Sequence, residues 1–324
     1  MMLQITHETP DHTLCIESAE FPQIAPHQVL VKVHAFGLNR ADTLQRQGKY
    51  PPPKGESLVL GLEISGEVVK SGGATSRWQP GDKVFGLVAG GGYAQYVAVH
   101  AEHLMAVPAT MDMYQAAGCA EVFLTAYQAL FTLGRLKAGE KVLIHAGASG
   151  VGSAAIQLAS HSGARVAVTA SDEKKLSFCQ GLGAELLVNY RTEVFTDTVK
   201  ASWQGVDLIV DVVAGDYLNA NVRCLNMDGR IVQLALLGGR YTEKFDMAMM
   251  LAKRASLMAS TLRNRSDAYK SELIQSFWNA FSDALATGQL KVCVDTVYAA
   301  PELNTAHQRL EQNLNMGKLI GYWD

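Results

Sequence analysis

The sequence predicts an α/β chain with two domains, a compact β-rich domain and a doubly wound parallel sheet. Three observations support this: the length, a change of pattern near residue 121, and a glycine-rich turn that joins an apolar strand to a helix. A chain of 324 residues exceeds the size at which a single hydrophobic core usually keeps growing. Apolar residues make up 48% and charged residues 18%, which is typical of a folded globular protein.

The segment up to residue 121 has the pattern of a compact antiparallel β-domain. Short runs of alternating apolar and polar residues are separated by glycine and proline, which supply the turns. Candidate strands are residues 28–35, 66–70, 83–87 and 93–99. Pro80 opens a P-G-D turn before the third of these strands.

From residue 120 onward, strand-like and helix-like segments alternate. A helix-like stretch at 122–133 precedes the apolar run 140–145, which is typical of a strand buried on both faces. The later candidate strands are residues 165–169, 186–189, 206–212, 230–235 and 256–260, with helices beginning near Val151, Glu173 and Tyr217. This repeated spacing predicts a parallel, doubly wound sheet.

The C-terminal residues do not extend this alternation. An amphipathic helix is predicted at 268–285, followed by a strand at 292–298, a helix at 301–314 and a strand at 318–322. We expect these elements to return to the N-terminal domain. The predicted domains are therefore 1–121 with 266–324, and 122–265.

The segment 142–157 (VLIHAGASGVGSAAIQ) predicts a dinucleotide-binding site. A buried strand runs into a turn with Gly147, Gly150 and Gly152, and that turn opens a helix. Glycine lets the backbone approach a pyrophosphate closely, and the first N–H groups of the helix attract the anion. Ser149 and Val151 lie in the same turn and are included in the predicted site, which has the pattern of a Rossmann domain.

The end of the second strand of this domain favours NADPH over NADH. NAD-specific sites usually place a carboxylate there to hold the ribose 2′-hydroxyl, whereas this strand ends in small neutral residues up to Ser171. Lys174 could neutralise a 2′-phosphate, and Tyr190 could add a hydroxyl at the same corner. Asp172 is a contrary signal, and Lys174 could equally belong to a solvated helix face.

Charge, cysteine content and hydropathy argue against other classes of protein. The formal net charge of -3 gives no basic field for nucleic acid. The five cysteines are scattered without a C-x-x-C pair, so neither a disulfide framework nor a zinc knuckle is expected. No apolar stretch reaches the ~20 residues of a membrane span, and the first residues lack a signal-peptide pattern. We expect a cytoplasmic protein without membrane contact.

Motifs spread over almost the whole chain form a family pattern. They are GLNRAD at 37–42, QRQGKYPPP at 45–53, LGLEISG at 60–66, GGYAQY at 91–96, TAYQAL at 125–130 and the nucleotide turn. Together they resemble the medium-chain dehydrogenase/reductase superfamily, in its zinc-free, zeta-crystallin-like NADPH:quinone oxidoreductase branch. The resemblance implies a GroES-like domain beside the Rossmann domain, an active site in the cleft between them, and a homodimer joined near residues 256–260.

The resemblance also bears on metal content. The family's alcohol dehydrogenases hold a catalytic zinc through a cysteine where this chain has Asn39 and a histidine where it has Leu62. Asparagine is a poor zinc ligand and leucine is none, so no metal is expected. Without a Lewis acid, a simple ketone is hard to reduce. Quinones and conjugated carbonyl compounds spread the arriving charge themselves, so reduction of a small quinone by hydride from NADPH is the predicted function.

The family pattern places Asn39, Asp42 and Tyr50 beside the nicotinamide. It implies that Asn39 donates its amide to cofactor or substrate and that Tyr50 offers its ring and hydroxyl. Further cofactor contacts are predicted at Thr125, Leu237, Gly238 and Lys318. Alternative roles remain open: Asn39 and Asp42 could cap a turn and a helix, and Tyr50 could pack before a proline. No side chain stands out as a general acid.

Two other functions remain open. The same hydride chemistry would serve an enone or 2-enoyl thioester reductase, and a panel of acceptors separates that activity from quinone reduction. A protein of another class, which binds NADPH for a structural or regulatory purpose with little turnover, would show cofactor binding without oxidation of the cofactor by any acceptor.

Overall fold

The computed structural model describes residues 1–7 and 12–323, which divide into two units. Unit 1 comprises Met1–Leu124 with Leu262–Asp324, and unit 2 comprises Thr125–Thr261. None of the helices in the described part of the chain is long and apolar enough to cross a membrane.

In chain order, the secondary structure begins in unit 1, continues through unit 2 and returns to unit 1. The strands are β1 (Met2–Thr6), β2 (Cys15–Ala19), β3 (Gln28–Leu38), β4 (Glu63–Ser71), β5 (Lys83–Leu87), β6 (Tyr96–His100), β7 (Leu104–Ala106), β8 (Lys141–Ile144), β9 (Arg165–Ala170), β10 (Leu186–Asn189), β11 (Val206–Asp211), β12 (Leu225–Gln233), β13 (Ser256–Ala259), β14 (Val294–Ala299) and β15 (Lys318–Tyr322). The helices are α1 (Arg40–Arg46), α2 (Met113–Ala117), α3 (Ala120–Tyr127), α4 (Gly150–His161), α5 (Glu173–Gly181), α6 (Phe195–Trp203), α7 (Tyr217–Cys224), α8 (Met247–Ala252), α9 (Asp267–Ala286) and α10 (Leu303–Glu311).

Unit 1 is built on a sheet with the strand order β14-β15-β3-β4-β5-β7, in which β6 also pairs with β3. Val29, Val31 and Val33 alternate along β3 and are buried, as expected for a strand that packs one face on a core. Its pairs are antiparallel except β14 with β15. Because β15 pairs with β3 from Leu319 opposite Leu38, the C-terminal strand brings Lys318 beside Asn39.

Unit 2 is a parallel sheet with the strand order β10-β9-β8-β11-β12-β13. All neighbouring strands in it are parallel, which confirms the predicted doubly wound sheet. The order of the strands reverses between β8 and β11. Ligands of such sheets bind at the carboxyl ends of the strands at this switch point, which is where the glycine-rich turn after β8 lies.

Several elements were not predicted, and each lacks a clear sequence signal. Helix α6 has Val194 at its N-cap, with no side-chain hydrogen bond there, so no capping residue announces it. Helix α8 has the sequence MAMMLA, which has no polar face and therefore no helical periodicity. The predicted helix at 122–133 is observed as α3 followed by a π-helical turn at Gln128–Leu133.

Candidate cofactor and active sites

The glycine-rich turn lets α4 begin directly against the sheet. A Cβ atom added to Gly147 would lie 2.9 Å from the Cβ of Val168 on β9, and one on Gly152 would collide with the carbonyl oxygens of Ala146 and Gly147. Only glycine therefore allows this close approach of helix and strand. Ser149 is the N-cap of α4, and its hydroxyl oxygen accepts a hydrogen bond from the Gly152 N–H at 3.0 Å.

The start of α4 has the properties of a phosphate site. Gly150 and Val151 are its first two residues, and both are partly exposed. Their N–H groups have no acceptor four residues back within the helix, and the helix dipole adds positive potential at this end. The loop with Leu237 and Gly238 also lies at the carboxyl end of the sheet, where Gly238 donates to the Val213 carbonyl at 2.7 Å. These residues fit the pyrophosphate of a dinucleotide.

A buried histidine network lies beneath this turn and was not predicted. The two ring nitrogens of His145 are 3.0 Å from the Thr169 hydroxyl and 2.8 Å from Asn221 Oδ1, and Asn221 Nδ2 donates to Asp211. Burial is the main cause that lowers the pKa of His145, so the ring is neutral at neutral pH. The network connects β8, β9, β11 and α7. The sequence signal is a histidine directly after an apolar strand.

The carboxylate that follows β9 is hydrogen-bonded to its neighbours in the chain. Asp172 is the N-cap of α5, where it accepts hydrogen bonds from the Lys175 N–H at 3.0 Å and from the Ser171 hydroxyl at 2.8 Å. These two bonds are the main causes that hold its pKa below the ordinary value. Asp172 therefore caps α5, which explains why a carboxylate stands here although the strand end otherwise favours NADPH.

Positive and hydroxyl groups surround the same corner. Lys174 is exposed, and Tyr190 after β10 has 44% of its surface exposed. Arg191 follows Tyr190, and its charge helps to lower the pKa of Asp172. Arg191 was not among the residues predicted from the sequence, although its place next to Tyr190 was a usable signal. The exposed side chains of Lys174 and Tyr190 fit a 2′-phosphate, whereas Ser171 is buried and its hydroxyl already donates to Asp172.

In unit 1, a buried ammonium group holds Asn39 in place. Lys318 Nζ lies 2.8 Å from Glu63 Oε1 and donates to Asn39 Oδ1 at 2.6 Å and to the Leu38 carbonyl at 2.7 Å. Asn39 Nδ2 in turn donates to Glu63 Oε1 at 3.0 Å and to the Gly37 carbonyl at 3.3 Å. The three donors of the ammonium are therefore used inside unit 1. The predicted contact of Lys318 with the cofactor stays a prediction.

Asp42 is 1% exposed and bonded mainly to backbone groups. Its carboxylate accepts hydrogen bonds from the N–H groups of Asn39 at 2.7 Å and Gly61 at 3.1 Å, and from the Tyr93 hydroxyl at 3.4 Å. The first of these bonds closes the N-terminus of α1, as the alternative helix-cap role requires. Burial raises the pKa of Asp42 to about 6.

Tyr50 lies beside a buried arginine that the sequence analysis missed. The guanidinium carbon of Arg263 is 5.7 Å from the centre of the Tyr50 ring. Arg263 is 6% exposed and donates from Nη2 to the Ala89 carbonyl at 3.2 Å. Its Nε and Nη1 atoms have no hydrogen-bond partner in the part of the chain that the structure describes. Tyr50 itself is partly exposed, and burial raises the pKa of its hydroxyl.

Glu121 is a second residue near Tyr50 that the sequence analysis missed. Its N–H donates to Glu63 Oε2 at 2.9 Å, and its side chain is partly exposed in a pocket lined also by Leu62 and Arg263. Burial and then the charge of Glu63 raise the pKa of Glu121 to about 8. The available signal was a single carboxyl group within the apolar stretch CAEVFLTAY.

The residues of unit 1 do not fit a catalytic zinc ion. Asn39 is bonded to Lys318 and Glu63, and Leu62 is apolar. Over residues 1–7 and 12–323, no group of three or more His, Cys, Asp or Glu side chains is arranged to hold a metal ion.

Two family models and several named proteins match the chain. The alcohol dehydrogenase GroES-like domain model matches residues 25–109, and the zinc-binding dehydrogenase model matches residues 150–279. The quinone oxidoreductase of Homo sapiens is 31% identical over 288 residues, which are 88% of this chain and 85% of that protein. The chain belongs to the quinone oxidoreductase-like proteins of the medium-chain dehydrogenase/reductase family. This medium-chain dehydrogenase/reductase is an oxidoreductase that uses a nicotinamide cofactor and a small-molecule substrate.

Two solved structures resemble this medium-chain dehydrogenase/reductase over its whole length. The Escherichia coli quinone oxidoreductase complexed with NADPH has a TM-score of 0.87 at 26% identity, with 99% of each chain covered. The CurK enoyl reductase has a TM-score of 0.87 at 27% identity, covering 100% of this chain and 99% of its own. The predicted fold class, a GroES-like domain plus a Rossmann domain, is confirmed.

Proposed function

We propose that the protein is an NADPH-dependent quinone oxidoreductase that reduces small quinones by hydride transfer without a metal ion. The observation that carries the proposal is the Lys318–Asn39–Glu63 network, which uses protein groups where the family's alcohol dehydrogenases bind zinc. Relatives named quinone oxidoreductase support the choice of acceptor. Quinones need no Lewis acid, because conjugation spreads the negative charge that arrives with the hydride.

The cofactor part of the proposal concerns unit 2. Gly147, Ser149, Gly150, Val151 and Gly152 would hold the pyrophosphate at the start of α4. The 2′-phosphate would lie among Ser171, Lys174 and Tyr190, where Asp172 is already occupied by the cap of α5. Thr125, Leu237 and Gly238 would contact the remainder of the cofactor. When bound, NADPH supplies the hydride.

The predicted residues of unit 1 differ in how many hydrogen bonds they can still form with an acceptor. Tyr50 has a partly exposed ring and hydroxyl and would contact the acceptor. Asn39 could still offer Nδ2, because its 3.3 Å bond to the Gly37 carbonyl is long. Asp42 is buried and bonded on both oxygens, so we assign it the positioning of Asn39 rather than contact with substrate.

A cytoplasmic homodimer is part of the proposal. The five cysteines are free thiols, which is typical of a reducing compartment. Strand β13 is the edge of the unit 2 sheet, and Leu257 on it is 43% exposed. Exposed apolar edges favour pairing with a second chain. Light scattering would test the dimer, and Leu257→Lys should shift the mass towards the monomer if this edge forms the interface.

A conjugated enone or 2-enoyl reductase is the second candidate, supported by the similarity to the CurK enoyl reductase. The deciding experiment measures oxidation of NADPH and NADH by purified protein with small quinones, alkenals and enoyl thioesters, with and without a chelator. The proposal expects the highest kcat/KM with quinone and NADPH, unchanged by the chelator. Preference for an enoyl thioester would favour the second candidate, and loss of activity with the chelator would contradict the metal-free mechanism. Cofactor binding without turnover of any acceptor would favour a binding protein.

A further inference from the structure

We propose that Arg263 and Glu121 form the oxygen-binding end of the acceptor site, where Arg263 binds the acceptor oxygen and Glu121 protonates it. This inference rests on the proposed function and names the groups that complete the reduction. The residues share one pocket of unit 1, which Leu62 and other apolar side chains also line. Leu62 is the residue that stands where the family's alcohol dehydrogenases carry a zinc-binding histidine.

Arg263 has the bonding capacity that an acceptor oxygen requires. It is 6% exposed, and only Nη2 is bonded, to the Ala89 carbonyl. Nε and Nη1 have no partner among the described residues. A buried donor without a partner typically costs about 1–3 kcal/mol, more for a charged group. Nε and Nη1 together carry three N–H donors, and both atoms are closed to solvent, so an acceptor oxygen would reach them when the Arg263 side chain turns into the pocket. There its positive charge favours an oxyanion over a neutral carbonyl.

Glu121 can supply the proton. Burial is the largest of the causes that raise its pKa to about 8, and the nearby charges of Glu63 and Asp42 contribute to that rise. Lys318 and Arg263 act in the opposite direction. A carboxyl group with this pKa is mostly protonated at neutral pH and can act as a general acid.

The other ionisable groups around the pocket are less suited to proton donation. His103 is buried, and burial lowers its pKa to about 4, so its ring is neutral at neutral pH. The pKa of the Tyr50 hydroxyl is raised by burial and by Glu121, which makes Tyr50 a weaker acid than usual. Lys270 also lines the pocket and adds a positive charge. Glu121 is therefore the best-placed acid near Arg263.

The step balances in atoms and electrons. For a quinone, hydride from NADPH brings one hydrogen and two electrons to one carbonyl oxygen, the π electrons shift through the ring, and the π pair of the opposite carbonyl moves to its oxygen, which becomes a phenolate. Arg263 stabilises that oxyanion. The O–H bond of Glu121 breaks, a new O–H bond forms on the acceptor, and the Glu121 carboxylate then takes a proton from water. A quinone plus hydride and one proton gives the hydroquinone, and an enone reduced at its β-carbon gives an enolate oxygen that the same groups serve.

The first test is equilibrium binding of an unreactive phenolate. The absorbance of 4-nitrophenolate reports its binding to the protein saturated with oxidised cofactor. We expect Arg263→Gln to weaken binding at least tenfold and Arg263→Lys to weaken it less, because lysine keeps the charge but not the forked donors. Arg265→Gln is the matched control, since it removes the same charge two residues away, and should bind as the wild type does. Equal binding by Arg263→Gln and the wild type would overturn the assignment of Arg263.

The second test examines Glu121 by spectroscopy and kinetics. The difference infrared spectrum of wild type minus Glu121→Gln at neutral pH should contain a carboxylic C=O band that disappears as pH rises through about 8. In quinone reduction, kcat of the wild type should fall over the same pH range. That of Glu121→Gln should be about 10²–10⁴-fold lower and independent of pH there. An ionised Glu121 at neutral pH, or wild-type turnover by Glu121→Gln, would refute its role.

These tests separate failure of the inference from failure of the proposed function. Phenolate binding and the infrared band require no turnover, so they judge the pocket even if quinones prove to be poor acceptors. Circular dichroism and the affinity for NADPH show whether each variant is folded. If Arg263→Gln does not fold, Arg263→Lys and Glu121→Gln carry the test, and unaltered phenolate binding by the former would count against the proposal.

Discussion

Replacing Lys318 with methionine tests the buried network of unit 1. The ammonium contacts Leu38 O, Asn39 Oδ1 and Glu63 Oε1 at 2.6–2.8 Å, and the side chains of Lys318 and Glu63 are 3% and 0% exposed. Methionine keeps most of the aliphatic stem but removes the charge, which leaves Glu63 as a buried carboxylate without its cation. Removing one partner of a buried ion pair typically costs about 3–5 kcal/mol.

The structure places the expected loss at the lower end of that range. Glu63 keeps two donors after the substitution, Asn39 Nδ2 at 3.0 Å and the Glu121 N–H at 2.9 Å. These hydrogen bonds continue to stabilise the carboxylate. We therefore expect the free energy of unfolding of unit 1 to fall by about 3 kcal/mol. For a urea m-value of about 3 kcal/mol/M, this corresponds to a midpoint shift of about 1 M.

Urea unfolding followed by tryptophan fluorescence measures this shift, since Trp78, Trp278 and Trp323 lie in unit 1. Lys70→Met is the control, because Lys70 is an exposed lysine on β4 and its loss should change stability by less than about 0.5 kcal/mol. Adding Glu63→Gln to Lys318→Met should recover part of the loss, because it removes the unpaired charge. A midpoint for Lys318→Met equal to that of the control would refute the reasoning.

Three further predictions concern the two sites. Because the pKa of Glu121 is raised in the folded protein, the stability of the wild type should fall as pH rises from about 4.5 to about 8. The difference in Tm between Glu121→Gln and the wild type should therefore change in favour of the variant over that pH range and stay constant below it. Lys174→Gln should raise KM for NADPH at least tenfold more than KM for NADH, whereas the exposed Lys200→Gln should change neither; an equal effect on both cofactors would remove Lys174 from the phosphate site. Gly152→Ala should abolish cofactor binding in calorimetry, because a Cβ there meets the Ala146 carbonyl, while Gly181→Ala, which meets nothing within 4 Å, should retain full affinity.

The sequence predicted the fold of unit 2 well because its signals are local. The buried parts of β8 and β11, residues 142–144 and 208–210, are continuous apolar runs. The glycine turn is a contiguous motif whose geometry follows from its residues. Helix α8 escaped prediction because its apolar residues are not periodic and it buries none of them. Met249 and Met250 are half-buried against the core of unit 2 whereas Met247 is 67% exposed, a division that periodicity alone cannot indicate.

The bonding at the candidate site could not be read from the sequence. Asn39 and Lys318 are 279 residues apart and meet only because β15 pairs with β3. The family pattern identified both positions but not their mutual hydrogen bond, which limits what either can offer to a ligand. Glu121 and Arg263 likewise come together through the fold: Glu121 stands in an apolar stretch, and Arg263 stands in a polar one that looks like an ordinary loop.

The hydrogen-bond inventory of unit 1 separates residues that hold the site from residues that are available to a ligand. Lys318 and Glu63 compensate each other, and Asp42 is bonded to backbone N–H groups, so these charges are already balanced inside the protein. Among the described residues, the N–H groups on Nε and Nη1 of Arg263 have no partner, and burial and the neighbouring Glu63 raise the pKa of Glu121 to about 8. Because buried polar groups without partners are costly, this remaining capacity is the strongest physical reason to place the acceptor oxygen between Arg263 and Glu121. The fixed charges of the network also serve the chemistry, since removing Glu63 would lower the pKa of Glu121 and leave less of its carboxyl group protonated at neutral pH.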